Sequence, residues 1–399
     1  MLRRLHILFV LLLLYACNNT ATTTTDGSDV AEPMREVIVG AQDTATYMPL
    51  LRDKRVAVLA NHTAMYDDER HIVDVMHSEG IDVVGIFAPE HGFRGSVEAG
   101  AKIEDGVDAK TGIAILSLYN GNTQRPSDKV MRSFDVLVVD MQDVGLRFYT
   151  YYISMLRMVD ACADFGCEVV VLDRPNPNGH YVDGPILDMK YKSGVGWLPI
   201  PVVHGMTMGE IATMAIGEGW AKPAKLTVVK CQNYDHTTHY TLPIAPSPNL
   251  PTQHSIYLYP TTCLFEGTVI SMGRGTEAPF EIYGHPDLKG YDFSFTPAPN
   301  AGAAEPPHMG QVCYGRDLRN IPNEEVWTEG IDLTHIIEAY HNLEIGDKFF
   351  KPIFEKLIGV SYVREMIIAG YSAEEIEAMW NEDVEKFKTQ RRKYLLYKE

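Results

Sequence analysis

Three carboxylates stand where this chain could do acid/base chemistry: Glu90, in Ala88-Pro89-Glu90-His91-Gly92-Phe93-Arg94-Gly95, and Asp140 and Asp143, in Asp140-Met141-Gln142-Asp143. Each comes just after a run of aliphatic residues. Cleaving a glycosidic bond needs a protonated carboxylic acid beside the leaving oxygen and, in most mechanisms, a second carboxylate as nucleophile or base. Glu90 suits the first task, because partial burial behind an apolar run and Pro89 raises a carboxyl pKa. Asp140 directly ends its run, whereas Asp143 lies further into the following turn. Both are candidates for the second task, and both could equally cap the helix expected from about Tyr149. In a third course, an N-acetyl sugar supplies its own acetamido oxygen and an aspartate only orients it.

The remaining polar residues cluster in the same way. Asn61-His62-Thr63, Tyr119-Asn120-Gly121 and Asp173-Arg174-Pro175-Asn176 also follow apolar runs. This makes Asn61, His62, His91, Gln142, Asp173, Arg174 and Asn176, with His204 further along, candidate binding residues, although His62 and His91 could equally be satisfied structural histidines. Tyr149 and Tyr151 crowd the mouth of the same region and could stack on a sugar face; Tyr151 and Tyr152 cannot both face it, because neighbours on a helix point about 100° apart. Further along, Glu266 and the segment Arg274-Gly275-Thr276-Glu277 place charges among aromatic residues. Interdomain packing is the stronger expectation for Glu266, and binding for Arg274 and Glu277.

Other chemistries fit less well. Asn61-His62-Thr63-Ala64-Met65 lacks the glycines of a dinucleotide turn, no serine sits in a G-x-S-x-G elbow, and Gly273-Arg274-Gly275-Thr276 follows no βα turn. His62, His91, Asp140 and His204 could converge on zinc, but no H-E-x-x-H, H-x-H or paired-cysteine spacing supports a metal site. No cofactor is expected. His236 and His239, in a Thr-rich loop, read as exposed.

These residues need elements to hold them. From Arg55 onward, apolar runs alternate with helical patterns: Val56 to Ala60, then Asp67 to Glu79; Val83 to Ala88; Ile113 to Leu118, then Ser127 to Phe134; Val136 to Val139, then Tyr149 to Phe165; Val169 to Leu172; a helix from Thr207 to Ile216; and a strand at Leu226 to Val229. Continuous rather than alternating aliphatic runs suit strands buried on both faces of a parallel sheet. The expected fold is α/β, a Rossmann-like doubly wound, mostly parallel sheet over residues 36–233, with a smaller α+β domain over 234–399 that closes the cleft. The Pro-rich loops from Pro243 to Pro260 open that second domain. Helices are expected over Leu333 to His341 and from Ser372, capped with Glu375, to Tyr394. Five polar clusters at successive strand ends would then lie on one edge of the sheet, where open α/β sheets bind ligands.

The first 16 residues, with Arg3, Arg4 and a short apolar run from Ile7 to Leu14, read as a signal peptide. Leu14-Tyr15-Ala16-Cys17 resembles the lipobox of bacterial lipoproteins, which makes Cys17 the expected lipidation site and 17–35 a flexible tether. Asn18 in place of an aspartate favours the outer membrane, facing the periplasm. Losing Arg3 and Arg4 takes the formal charge from −18 to −20. Nucleic acid is a poor partner for so acidic a chain, and an anionic substrate would need local arginines, for which Arg94, Arg147, Arg174 and Arg274 are the candidates. The five cysteines beyond Cys17 fit no complete disulfide framework and read as buried.

Taken together, Val58-Leu59-Ala60-Asn61-His62-Thr63, the segment around Glu90, Asp140 through Tyr151, Leu172-Asp173-Arg174-Pro175-Asn176-Pro177, Ser247-Pro248-Asn249-Leu250-Pro251-Thr252 and Gly273-Arg274-Gly275-Thr276 resemble the bacterial exo-β-N-acetylmuramidases. The resemblance runs from about Val37 to the C-terminus, thinnest from Phe293 to Thr328. It implies an exo-acting glycosidase that removes N-acetylmuramic acid from non-reducing ends of peptidoglycan fragments during cell-wall recycling, with Glu90 as the leading catalytic residue. It leaves the choice between Asp140 and Asp143 open. The rival readings are a zinc-dependent amidase or deacetylase acting on the same polymer, and a lipid-anchored periplasmic sugar-binding protein.

Overall fold

The computed structural model describes residues 36–89, 93–94, 106–116, 118 and 125–399. Seven strands form the main sheet: β1 (Val56–Ala60), β2 (Val83–Phe87), β3 (Gly106–Val107), β4 (Ala114–Leu116), β5 (Val136–Asp140), β6 (Glu168–Leu172) and β7 (Lys225–Val229). Their spatial order is β3-β4-β2-β1-β5-β6-β7. All neighbouring pairs are parallel except β3 with β4. Leaving aside that short antiparallel edge, the order is that of a Rossmann sheet, with its reversal between β1 and β5. In that pair Val56 registers with Val136 and Ala60 with Asp140, so the chain leaves both strands at the same level.

The aliphatic runs serve two cores at once. Val56, Val58, Ala60, Val136, Val138 and Val170 face one layer. It is covered by α1 (Thr44–Leu51), through Tyr47 and Leu51, and α2 (Ile72–Ser78), through Ile72 and Met76. Ala57, Leu59, Leu137, Val139, Val169 and Val171 face the other. With α3 (Asp128–Met131) at the margin, that layer is built from α4 (Tyr151–Phe165) and α5 (Met208–Gly217), through residues such as Met155, Val159, Ile211 and Met214. A strand with apolar residues at every position is the consequence of helices on both faces. The second core continues without a break into Phe280, Tyr283, Phe349, Phe354 and Trp380. Residues 37–399 form one compact unit.

The C-terminal part holds a separate antiparallel sheet of β8 (Ile282–His285), β9 (Phe293–Phe295) and β10 (Cys313–Asp317), in the order β8-β10-β9. Short helices surround it. The Pro-rich stretch read as loop contains α6 (Gln253–Thr262), started by a capping box between Thr252 and Ser255 and continuing through Pro260. The helix expected from Asp67 begins only at Ile72: the Asp67 carboxylate takes the backbone N–H groups of Glu69 and Arg70 and holds them in a turn. The long C-terminal helix starts as expected at the Ser372–Glu375 capping box. It tightens at Ala378–Trp380, where Trp380 is buried, and resumes over Asn381–Arg391. Cys162, Cys167, Cys231, Cys263 and Cys313 are all buried and unpaired by disulfides.

Candidate active site at the carboxyl edge of the sheet

Asn61, Asp140 and Asp173 leave or end β1, β5 and β6 on the same edge, and all three are fully buried. Glu90 and His91 follow Pro89 at the end of β2 and lie outside the described residues, as do Tyr119, Asn120 and Gly121. So does Cys17.

The two aspartates after β5 have different fates. Asp140 receives the Arg174 guanidinium through both oxygens, at 2.5 and 3.0 Å, and Arg174 also donates to the Met65 carbonyl at 2.8 Å. This buried pair ties β5 to β6 and to the loop after β1, and it occupies both oxygens of the carboxylate. Asp143 is held by one oxygen only: its Oδ1 accepts the Gly145 N–H at 2.8 Å, while its buried Oδ2 has no hydrogen-bond partner among the described residues. Burial pushes its carboxyl up to about 7, opposed by the nearby N–H groups of Gly145, Val144 and Tyr152. Native proteins rarely leave a buried polar atom unpaired without a use for it. Asp143 does not cap α4, whose N-cap is Thr150; it holds a turn at Gly145 and carries the perturbed titration and unengaged oxygen expected of a proton-handling group.

A polar floor lies beneath. Thr63 donates its hydroxyl to Asn61 Oδ1 at 2.6 Å and accepts the Gln142 N–H at 3.0 Å, joining the ends of β1 and β5 across the reversal. Gln142 Nε2 donates to the carbonyls of Asp143 and Pro175, at 2.8 and 2.7 Å. Asn61 Nδ2 is buried with no partner among the described residues, as is His62 Nδ1 on the same loop; His62 Nε2 lies 2.9 Å from the Ala245 carbonyl.

In the segment that follows Asp143, a cavity of about 80 Å³ is lined by Tyr149 and Tyr151, together with Asn249, Tyr259, Arg274 and Phe280 among others. Tyr149 and Tyr151 pack edge to face at 4.8 Å, and both hydroxyls donate to the Pro246 carbonyl. Tyr152 points elsewhere, its hydroxyl accepting the Trp197 N–H. From sequence, Ser247 and Asn249 take a place in a motif that carries the resemblance but no role at the site, because the Pro-rich composition around them reads as connecting loop, and Tyr259 and Phe280 look like core.

Several expected binding residues are committed elsewhere. Arg147 is fully buried, its guanidinium donating to the carbonyls of Pro185, Ile200, Leu357 and Ile358 at 2.7–2.9 Å, so it joins the sheet domain to the C-terminal part rather than facing a ligand. Arg94 is neutralised by Asp108 and Asp74. Asp173 accepts from Thr207, Gly209 and Tyr397, anchoring the start of α5, and burial raises its carboxyl to about 6. Asn176 forms a turn with Asn178 and donates to the Met206 carbonyl. His204 accepts the Met206 N–H, and burial lowers its imidazole to about 3. Glu277 is exposed. Glu266 pairs with Arg274. His236, expected at the surface, is buried against Glu210 at 3.1 Å; His239 is exposed and stacks on Trp327. Among the described residues no three His, Cys, Asp or Glu side chains converge as metal ligands.

Two family models account for most of the chain. Residues 56–254 match the exo-β-N-acetylmuramidase NamZ N-terminal model, and residues 257–397 match the C-terminal one. The chain is 36% identical over 370 residues to the peptidoglycan β-N-acetylmuramidase NamZ of Bacillus subtilis, covering 88% of this chain and 89% of that protein. Two solved structures of DUF1343 family proteins from Bacteroides fragilis superpose over 92% of this chain and 100% of their own. One has a TM-score of 0.86 at 54% identity, the other 0.78 at 26%.

Proposed function

The chain belongs to the exo-β-N-acetylmuramidase NamZ family, and from that membership we propose that it is a glycoside hydrolase releasing N-acetylmuramic acid from the non-reducing ends of peptidoglycan fragments. The observation that carries the reading is Asp143: a buried carboxyl with one unengaged oxygen just after the strand reversal, in the segment that runs on to Tyr149 and Tyr151 of the aromatic cavity. Glu90 is the acid that protonates the leaving glycosidic oxygen. Asp143 is the second group, taking a proton from water or from the acetamido N–H of the sugar. Asp140 is a positioning residue that, with Arg174, fixes the turn carrying Asp143.

We further propose that the protein is exported and lipidated at Cys17, so that the tether presents the enzyme to the periplasm from the outer membrane. Replacing Cys17 by Ser should move the protein from the detergent phase to the aqueous phase on detergent partitioning; unchanged partitioning would remove the anchor.

The substrate assignment is tested with the mature chain on an aryl β-N-acetylmuramide and the matching N-acetylglucosaminide. Release from the muramide alone is expected. Equal cleavage of the two sugars would overturn the muramic acid assignment, and internal rather than terminal cuts in a glycan fragment would overturn exo action.

A further inference from the structure

Muramic acid differs from N-acetylglucosamine by a lactyl ether that ends in a carboxylate, so an enzyme that selects it needs a cation placed for that group. Four arginines near the carboxyl edge are candidates, and the structure separates them. Arg147 is spent on four carbonyls, Arg174 lies on Asp140, and Arg94 lies between two aspartates. Arg274 alone of the four lines the cavity.

Its setting is built with care. Gly273 and Gly275 flank it at φ +83° and +80°, conformations that favour glycine. A Cβ on Gly273 would come within 2.7 Å of the Ala278 carbonyl oxygen, and one on Gly275 within 2.6 Å of the Ala298 carbonyl oxygen. Phe280 holds a φ of 63°, a genuine outlier for a bulky side chain. Its ring lines the cavity with the guanidinium 5.1 Å from its centroid. Strain of this kind persists where surrounding structure enforces it, and it concentrates at ligand clamps.

Both hydrogen bonds from Arg274 to Glu266 reach a single carboxylate oxygen, from Nε at 2.9 Å and Nη2 at 2.6 Å. Nη1 makes no hydrogen bond among the described residues. At about 80 Å³ the cavity is too small for a whole sugar ring and suits one substituent. Glu266 has a physical use here: it fixes the guanidinium plane through Nε and Nη2 and leaves Nη1 for a ligand, while its own charge tempers the attraction for a second carboxylate.

We propose that Arg274, oriented by Glu266, reads the lactyl carboxylate of the terminal sugar and is the residue that makes the site specific for muramic acid. This deepens the glycosidase reading and rests on it for the identity of the sugar.

The test pairs binding with turnover. N-acetylmuramic acid and its lactyl methyl ester are titrated calorimetrically into the wild-type protein and into Arg274→Gln and Glu266→Gln, while the aryl β-muramide and its methyl ester are assayed for cleavage. The wild type should prefer the free acid by about 10- to 100-fold, the scale of one charge-assisted hydrogen bond. Arg274→Gln should erase that preference by weakening the acid and leaving the ester unchanged. Glu266→Gln should retain or increase the preference. Equal losses on acid and ester in Arg274→Gln, or no acid preference in the wild type, would overturn the proposal. If Arg274→Gln does not fold, the wild-type ester comparison and Glu266→Gln decide the matter. Selective binding of the acid without cleavage of either glycoside would keep Arg274 as the reader and sink the glycosidase reading; cleavage of both alike would do the reverse.

Discussion

With its carboxyl raised by burial to about 7, Asp143 titrates near neutral pH, and two measurements follow. Its folded-state value lies above the ordinary 3.8, so between about pH 4 and 7 the folded protein binds more protons here than the unfolded chain. The stability this group contributes is complete below about pH 4 and is lost as pH rises to about 7, by about 4 kcal/mol. Asp143→Asn should therefore match the wild type near pH 4 and exceed it above pH 7 when denaturant midpoints are followed against pH; a gap that does not change with pH would contradict the assignment. Asp173, raised to about 6, stays in both proteins and cancels in the difference. In turnover, Asp143 must be ionised to take a proton, so kcat/KM should rise through about pH 7 in the wild type, and Asp143→Asn should lose both that limb and most of the rate. Asp140→Asn should behave differently: breaking the buried pair with Arg174 costs about 3–5 kcal/mol of stability, read as a fall in the unfolding midpoint. Asp143 is thus predicted to set the pH dependence of both rate and stability and Asp140 a share of stability through Arg174, although the sequence presents them three residues apart as equals.

At the scale of elements, Arg147 does the joining that a loop-to-loop seam needs. Its four carbonyl partners come from the 185 and 200 segments and from the end of the Phe354–Ile358 helix. Arg147→Met would leave buried carbonyls unpaired at about 1–3 kcal/mol each, so thermal melts should show a drop of many degrees; a melt within a degree or two of the wild type would show the seam is held otherwise. The parallel strands were legible because helices on both faces demand unbroken aliphatic runs, and β1 matches its run residue for residue. That Asn61, Asp140 and Asp173 share one edge of the sheet followed from topology. The fates of the individual polar residues did not, since Arg147, Asp173 and Asn176 look identical in sequence whether they meet a ligand or a protein group 30 to 224 residues away. Nor did the sheet of β8, β9 and β10 or the helix Gln253–Thr262, whose short strands and internal Pro260 carry little periodic signal.

For the molecule as a whole, the C-terminus is a structural tie. Tyr397 donates to Asp173, the Leu396 N–H reaches Glu210, and the Lys398 carbonyl accepts the His236 N–H. Deleting residues 396–399 should lower the melting temperature clearly, because Asp173 and Glu210 would lose buried partners; an unchanged melt would mean that the tie is dispensable. Beyond its architecture, the central claim is that this molecule hydrolyses terminal muramides with Glu90 as the acid. The most direct measurement is kcat for the mature wild-type chain and Glu90→Gln on an aryl β-N-acetylmuramide, with folding of both checked by melting. A loss of about 10²–10⁴-fold in the variant, with its melt unchanged, is predicted for a general acid. Comparable turnover by the two proteins would contradict the account and move the acid to another carboxyl.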